Sequence, residues 1–167
     1  MIGAHPLAGS HESGFAAARA DLFVGCTVSI ESRQTEAQHE WLKWIWARVG
    51  AARLDYRPAE EHDAMMAWVS HLPQLASTAL AATLAAEHID PASVGPGARD
   101  TTRLAASAFD QWSSLVQAQP AVLDAALSKL QSEVAALREA LSRGDQRALQ
   151  EIWNSARDWR RGAEPTA

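Results

Sequence analysis

Residues 58–167 carry the feature that most constrains the fold, because apolar side chains recur there at spacings of three and four residues. This spacing places apolar side chains on one face of an α-helix, and that face must be buried. Between Leu123 and Leu141 the spacings of four and three alternate, as in a coiled coil. Gly144 is expected to end this helix, and Asp145 to cap the next one. We therefore predict a mainly α domain over this part of the chain.

Other residues are expected to divide the helical part into separate elements. Pro73 lies within an apolar stripe that begins at Met65, so it should kink this helix without necessarily ending it. Asp100 is a natural N-cap for a short helix that runs to Ser107. A further helix is expected around Trp112.

The only strand patterns occur in residues 1–57. Residues 23–30 alternate apolar and small or polar side chains, and residues 52–56 repeat this more weakly. Residues 35–49 between them have helical spacing and are followed by Gly50. We predict a short β-α-β unit as one domain, followed by the helical domain. Such a small sheet has uncovered edges, so it must pack on the rest of the chain or on a second copy.

Composition excludes several classes of partner. The formal charge of −5 lacks the basic excess that phosphate binding requires, so nucleic acid is not expected. No stretch is long and apolar enough to predict a membrane span, and the N-terminus has no signal-peptide pattern. The single cysteine, Cys26, cannot form an intramolecular disulfide, which favours the cytoplasm.

The motifs of common cofactor and metal sites are absent from the sequence. It has no Gly-x-Gly-x-x-Gly turn and no Walker-type loop, so no dinucleotide or nucleotide site is expected in this chain. Its six histidines include no pair at the i, i+4 spacing that would present two metal ligands on one helix face. We therefore expect neither a cofactor nor a metal.

Two sequence features could carry chemistry. His5 lies in a segment rich in Gly and Pro, where a loop would hold its imidazole as an acid, a base or a hydrogen-bond donor; a frayed terminus is the alternative. Arg99 and Arg103 are i, i+4 neighbours at the start of the helix that Asp100 would cap. They would suit a carboxylate there, although a solvated first turn is an equal alternative. His71, from its position alone, is more typical of a hydrogen-bonded core histidine.

Six short motifs occur in an order that matches a known family: HPLAGS at 5–10, SG at 13–14, ADLFVG at 20–25, EHD at 61–63, VSHLP at 69–73 and RDTTRLA at 99–105. Together they resemble the prephenate dehydrogenase family, which includes arogenate and cyclohexadienyl dehydrogenases. The resemblance implies an N-terminal Rossmann domain that binds NAD or NADP and a C-terminal helical domain that dimerises and completes the substrate pocket. This chain begins close to the histidine motif, so we expect the cofactor turn and most of the parallel sheet to be missing.

The resemblance also implies roles for individual residues. His5 matches the histidine that hydrogen-bonds the ring hydroxyl of prephenate, and Arg103 matches the arginine that holds a substrate carboxylate. His71 and Ser10 match residues that line the pocket, and Trp112 falls where the family has a tryptophan near it.

These observations lead to one main expectation and two alternatives. The main expectation is a stand-alone homodimer, favoured by Met1 directly before the histidine motif. It would use His5 and His71 for cofactor-independent acid/base chemistry, such as cyclisation, dehydration, aromatisation or isomerisation. Its substrate would be a small carboxylated cyclic metabolite, in secondary metabolism. One alternative is a fragment that binds a ligand or partner without turnover, and the other is complementation by a separate NAD-binding subunit.

Overall fold

The computed structural model describes residues 3–9 and 14–162, and it contains a three-stranded sheet near the N-terminus. The strands, in chain order and in sheet order, are β1 (Ala4–Pro6), β2 (Thr27–Glu31) and β3 (Arg53–Arg57). β2 and β3 are parallel, joined by helix α1 (Glu36–Arg48), whereas β1 is antiparallel to β2. The predicted β-α-β unit is therefore present, with one additional strand.

The core of this unit lies between β2 and α1. Val28 and Ile30 of β2 are completely buried and pack with Leu42 of α1. Thr35 caps α1: its hydroxyl accepts a hydrogen bond from the Gln38 N–H, and the Gln38 side chain accepts one from the Thr35 N–H. The cap and the buried face explain why residues 35–49 form a helix as predicted.

Two sequence predictions for the sheet are corrected. His5 does not lie in an irregular loop, because it occupies β1 opposite Ser29 of β2. Pro6 is tolerated there because β1 is an outer strand of this sheet. The strand predicted over residues 23–30 begins only at Thr27. Before it, Gly25 adopts φ +77° in a turn, and its N–H donates to the Gly50 carbonyl at 2.8 Å.

Helical backbone runs from α2 (Ala59–Met66) through a π-helical turn (Ala67–His71) into α3 (Leu72–Ala86). Pro73 is the second residue of α3, so the helical backbone continues through it, as predicted. Proline has no N–H to donate to the preceding turn and its ring crowds that turn, which is a physical reason for the wider π geometry.

The helix that Asp100 was predicted to cap begins earlier. Helix α4 spans Pro96–Thr102, so Asp100 lies inside it, and a 3-10 turn follows at Arg103–Ala106. Pro96 after Gly95 sets the start because proline suits the first helical position. The region around Trp112 is likewise split into a 3-10 turn and α5 (Ser113–Ala118).

Two long helices complete the described chain, α6 (Pro120–Arg143) and α7 (Gln146–Gly162). Gly144 adopts φ +63° after α6, and the Asp145 carboxylate accepts the Ala148 N–H at 3.0 Å at the start of α7, as predicted. The structure thus confirms a mainly α fold with a short β part. None of the described helices is long and apolar enough to cross a membrane.

By its internal contacts the chain forms two compact units, residues 1–123 and 124–167. The sequence predicts a different boundary, between residues 57 and 58, which separates the β-α-β part from the helical part. That domain division remains a prediction.

Candidate functional site

A line of three hydrogen-bonding side chains begins at His5. The His5 Nδ1 atom lies 2.8 Å from Nε2 of His62, and Nδ1 of His62 lies 2.9 Å from a carboxylate oxygen of Asp63. The two imidazole rings meet edge to face with centroids 5.0 Å apart. β1 holds His5 and α2 holds the other two, so the site joins the sheet to the first helix after it.

The surroundings of His5 favour its neutral form. Burial lowers its pKa from the ordinary value, and the nearby His62 lowers it further. A neutral imidazole has one unprotonated nitrogen, so it can accept a proton or a hydrogen bond at neutral pH. His5 also lines a cavity of about 380 Å³ whose wall includes Leu7, Val69 and Ser70.

His71 is the most deeply buried histidine of this region, with 6% of its surface exposed. Its ring meets Trp112 edge to face at 6.0 Å, and its buried Nδ1 atom has no hydrogen-bond partner among the described residues. Burial lowers the pKa of His71; Asp63 acts in the opposite direction, whereas His62 and His5 lower it further. His71 therefore belongs to the same electrostatic cluster as these three residues.

A cleft of about 520 Å³ carries Arg103 and Trp112 on its wall. It shares Leu7, Val69 and Ser70 with the His5 cavity, so the two spaces adjoin along one wall. Arg103 therefore lines one of two adjoining spaces, and His5, whose pKa is lowered, lines the other. A ligand with an anionic group and a hydroxyl would match these two side chains.

Arg103 is positioned by α3. The buried Gln74 side chain donates to the Leu104 carbonyl at 2.9 Å, and the buried Ser77 hydroxyl accepts the Ala105 N–H at 3.1 Å. The Arg103 guanidinium forms no hydrogen bond or ion pair within residues 3–9 and 14–162, so its donors are available to a ligand. The predicted support from helix N-terminal amides is wrong, because Arg103 follows the C-terminal end of α4.

The structure brings together four of the six predicted site residues, namely His5, His71, Arg103 and Trp112. Arg99 is exposed on α4 and is not among the residues lining the cleft. Ser10 lies outside the described residues. The roles of all six remain predictions.

His62 and Asp63 were not predicted as site residues. The available signal is the EHD motif at residues 61–63, one of the six motifs that carry the family resemblance. Their function depends on a contact with His5, 57 positions away in the chain, which helical spacing cannot reveal.

The described residues do not fit a dinucleotide or a metal ion. The turn from β2 into α1, residues 32–35, contains no glycine, and Thr35 already caps the helix end that would face a pyrophosphate. The part of the chain that the structure describes also contains no group of three or more His, Cys, Asp or Glu residues placed to hold a metal.

Sequence comparison matches residues 58–155 to the family described as "Prephenate dehydrogenase, dimerization domain". Among curated proteins, the chain is 30% identical over 169 residues to prephenate dehydrogenase of Bacillus subtilis (strain 168), covering 97% of this chain and 45% of the relative. It is 29% identical over 172 residues to prephenate dehydrogenase of Lactococcus lactis subsp. cremoris (strain MG1363), covering 98% and 46%. The chain thus spans about half the length of these relatives.

Solved structures show the same fold. Prephenate dehydrogenase from A. aeolicus, in complex with hydroxyphenyl propionate and NAD+, superposes with a TM-score of 0.81 at 26% identity, covering 98% of this chain and 59% of that one. Synechocystis arogenate dehydrogenase gives a TM-score of 0.78 at 22% identity, covering 98% and 61%, which is a likeness of fold alone.

Proposed function

The chain belongs to the prephenate dehydrogenase family, and from that premise we propose that it binds a small cyclic metabolite carrying a carboxylate and a ring hydroxyl. Arg103 would hold the carboxylate, and His5 would accept the hydroxyl proton or hydrogen bond. The observation that carries the proposal is that the Arg103 guanidinium, which has no ion pair or hydrogen bond to the described residues, and the neutral His5 ring line adjoining spaces. The ligand in the A. aeolicus structure has these two groups on one ring compound.

The chemistry of each side chain suits its proposed role. A guanidinium presents a planar fork of donors that matches both oxygens of a carboxylate. An imidazole near its working pKa can act as base or acid without a cofactor. Trp112 offers an apolar face to a ring, and His71, edge-on to Trp112, supplies a second imidazole for acid/base chemistry.

We propose cofactor-independent acid/base chemistry on this ligand, such as cyclisation, dehydration with aromatisation, or isomerisation, in secondary metabolism. This uses only groups that the chain itself provides. We also propose a homodimer, through the dimerization domain, and a cytoplasmic location, which fits a biosynthetic family and a single cysteine.

A second candidate is the substrate-binding part of a dehydrogenase. Its support is that the chain spans 45% and 46% of the curated dehydrogenases it matches. A separate NAD-binding subunit, or a part of the protein outside this sequence, would then supply the cofactor site. In both candidates the same cleft would bind the same class of ligand. If no reaction followed in either, the chain would be a fragment that binds its ligand without turnover.

Binding is tested by titrating hydroxyphenyl propionate into the purified protein in a calorimeter. We expect Arg103→Ala to weaken binding by about 1.5–3 kcal/mol, or roughly 10- to 150-fold, because a charge-assisted contact is lost. Arg103→Lys should restore only part of this, because an ammonium cannot reproduce the fork. The control is Arg161→Ala, at an exposed position of α7, which should be silent. An Arg103→Ala affinity within about twofold of the parent, roughly 0.4 kcal/mol, would contradict the carboxylate anchor.

Turnover distinguishes the two candidates. Prephenate and arogenate are incubated with the protein with and without NAD+, and with His5→Ala as a control for the base. Conversion without NAD+ that His5→Ala abolishes supports the first candidate. Conversion that requires NAD+ and a co-purifying subunit supports the second. Neither binding nor conversion in any arm would reject both.

A further inference from the structure

We propose that Asp63, His62 and His5 form a proton relay that fixes the acceptor nitrogen of His5 and moves positive charge from His5 to His62. The identity of the proton donor rests on the proposed function, since a ligand hydroxyl supplies the proton. The arrangement of the relay itself is a property of the free protein and can be measured without a ligand.

The hydrogen-bond pattern assigns the tautomers. A carboxylate only accepts hydrogen bonds, so Nδ1 of His62 must carry the proton that it donates to Asp63. In neutral His62, Nε2 is then unprotonated and accepts a hydrogen bond from Nδ1–H of His5. His5 is left with an unprotonated Nε2. The order carboxylate, imidazole, imidazole therefore leaves a lone pair at one fixed position.

The proton transfer balances within the named groups. The O–H bond of the ligand breaks and its proton bonds to Nε2 of His5. The proton on Nδ1 of His5 moves 2.8 Å along the existing hydrogen bond to Nε2 of His62. The products are the ligand anion, a neutral His5 and a His62 imidazolium beside the Asp63 carboxylate at 2.9 Å. In reverse, the same path returns a proton to the ligand.

The surroundings favour charge on His62 over charge on His5. A charge on His5 would lie beside another imidazole, whereas a charge on His62, whose side chain is 20% exposed, is paired with the Asp63 carboxylate at 2.9 Å. Glu31 and Arg57 line the cavity of about 160 Å³ shared by both histidines, but each has its own partner, Arg33 and Asp55. Among the described residues, His71 is a further titratable neighbour, and burial lowers its pKa, which favours its neutral form.

The test is nitrogen NMR of the whole chain labelled with ¹⁵N-histidine, in the absence of ligand, with ring signals assigned by single substitutions. At neutral pH we expect His5 to carry its proton on Nδ1, with Nε2 unprotonated. On acidification the first added proton should appear on His62. A parent protein with Nε2–H on His5 at neutral pH, or with His5 protonated before His62, would overturn the relay.

Two variants separate the relay from a contact that only holds α2 against β1. Asp63→Asn removes the carboxylate that pairs with a charged His62, so the first added proton should no longer appear on His62 in preference to His5. His62→Gln still accepts the His5 hydrogen bond but takes up no proton, so His5 should keep its tautomer and become the protonated ring. Unchanged titration in both folded variants would reject the proposal. The control is His88→Asn, an exposed histidine after α3 that should leave the cluster unaffected. Failure to bind hydroxyphenyl propionate would reject the proposed function and leave these results standing.

Discussion

At the scale of single residues, Glu31 ties the end of β2 to the start of α2. Its carboxylate accepts the Arg33 N–H at 2.9 Å and the Ala59 N–H at 2.9 Å, and it pairs with the Arg33 guanidinium, which also reaches Glu60. These hydrogen bonds, chiefly those from Arg33, lower the pKa of Glu31 to about 2. The same residue therefore stabilises a strand end and a helix start.

This lowered pKa predicts a stability that depends on pH in the acid range. The carboxylate is held more strongly ionised in the folded state than in the unfolded state, whose ordinary value is 4.5. The contribution of Glu31 to the free energy of unfolding is complete above pH 4.5 and is lost as the pH falls toward 2. We expect Glu31→Gln to lower stability at pH 7 and to flatten the decrease between pH 5 and pH 2, measured by urea unfolding at each pH.

The control for this prediction is Glu139→Gln, which removes an exposed i, i+4 pair with Arg143 on α6. Such pairs contribute only about 0.3–0.5 kcal/mol. Equal pH profiles for Glu31→Gln and the parent would show that Glu31 does not act as described.

At the scale of elements, the π-helical turn Ala67–His71 presents Ser70 and His71 to the site. Leu72 separates it from Pro73, whose missing N–H and bulky ring disfavour regular α-helix over the preceding turn. We expect Pro73→Ala to let this turn adopt α geometry, which would rotate Ser70 and His71 relative to the cleft. The melting temperature should equal or exceed that of the parent, while affinity for hydroxyphenyl propionate falls at least fivefold, in paired thermal and calorimetric measurements.

Pro91→Ala is the matched control, since Pro91 opens a separate 3-10 turn away from the cleft residues. A Pro73→Ala protein that binds like the parent would show that the π turn is not needed for the site.

Elements were predictable where local signals agreed. The end of α6 before Gly144 and the capping of α7 by Asp145 follow from residues next to the helix ends. The helix start predicted at Asp100 is wrong because two signals compete there. Asp100 can cap a helix, but Pro96 starts α4 earlier in the chain. β1 is only three residues long and depends on pairing with β2, a distant segment, so no local pattern indicated it.

The candidate site shows the same limit. Arg103 was singled out by its spacing from Arg99 and by a family motif, and His71 gained a role through a family motif; the structure places them near the cleft and the histidine cluster. The surroundings of Arg103 were wrong because they were inferred from a helix start that lies elsewhere. The link between His5 and His62 was missed because it depends on how the sheet meets α2.

At the scale of the whole molecule, the second unit leaves large apolar side chains in solvent. Exposed fractions are 65% for Leu141, 65% for Trp153 and 77% for Trp159. Exposure of this kind is typical of an interaction surface, and residues 58–155 match a dimerization domain. We predict that light scattering at micromolar concentration will report about twice the chain mass of 18.0 kDa.

Leu141→Lys combined with Trp153→Lys should shift this protein toward the monomer without loss of helical circular dichroism, because charges on a buried apolar interface are costly. Arg147→Ala, on the exposed surface of α7, is the control. A mass of 18 kDa for the parent would contradict the dimer.

The edge-on contact between Trp112 and His71 also makes the protein suited to optical study. Five of the seven tryptophans, at positions 41, 44, 68, 153 and 159, are at least half exposed, so their emission should be red-shifted and open to quenching by iodide. Trp46, the sixth, packs against Phe23 away from the cleft. Trp112 lies on the cleft wall 6.0 Å from an imidazole that quenches indoles more strongly when protonated. The emission that survives iodide therefore contains an intrinsic reporter of cleft occupancy and of the protonation of His71, with no attached dye.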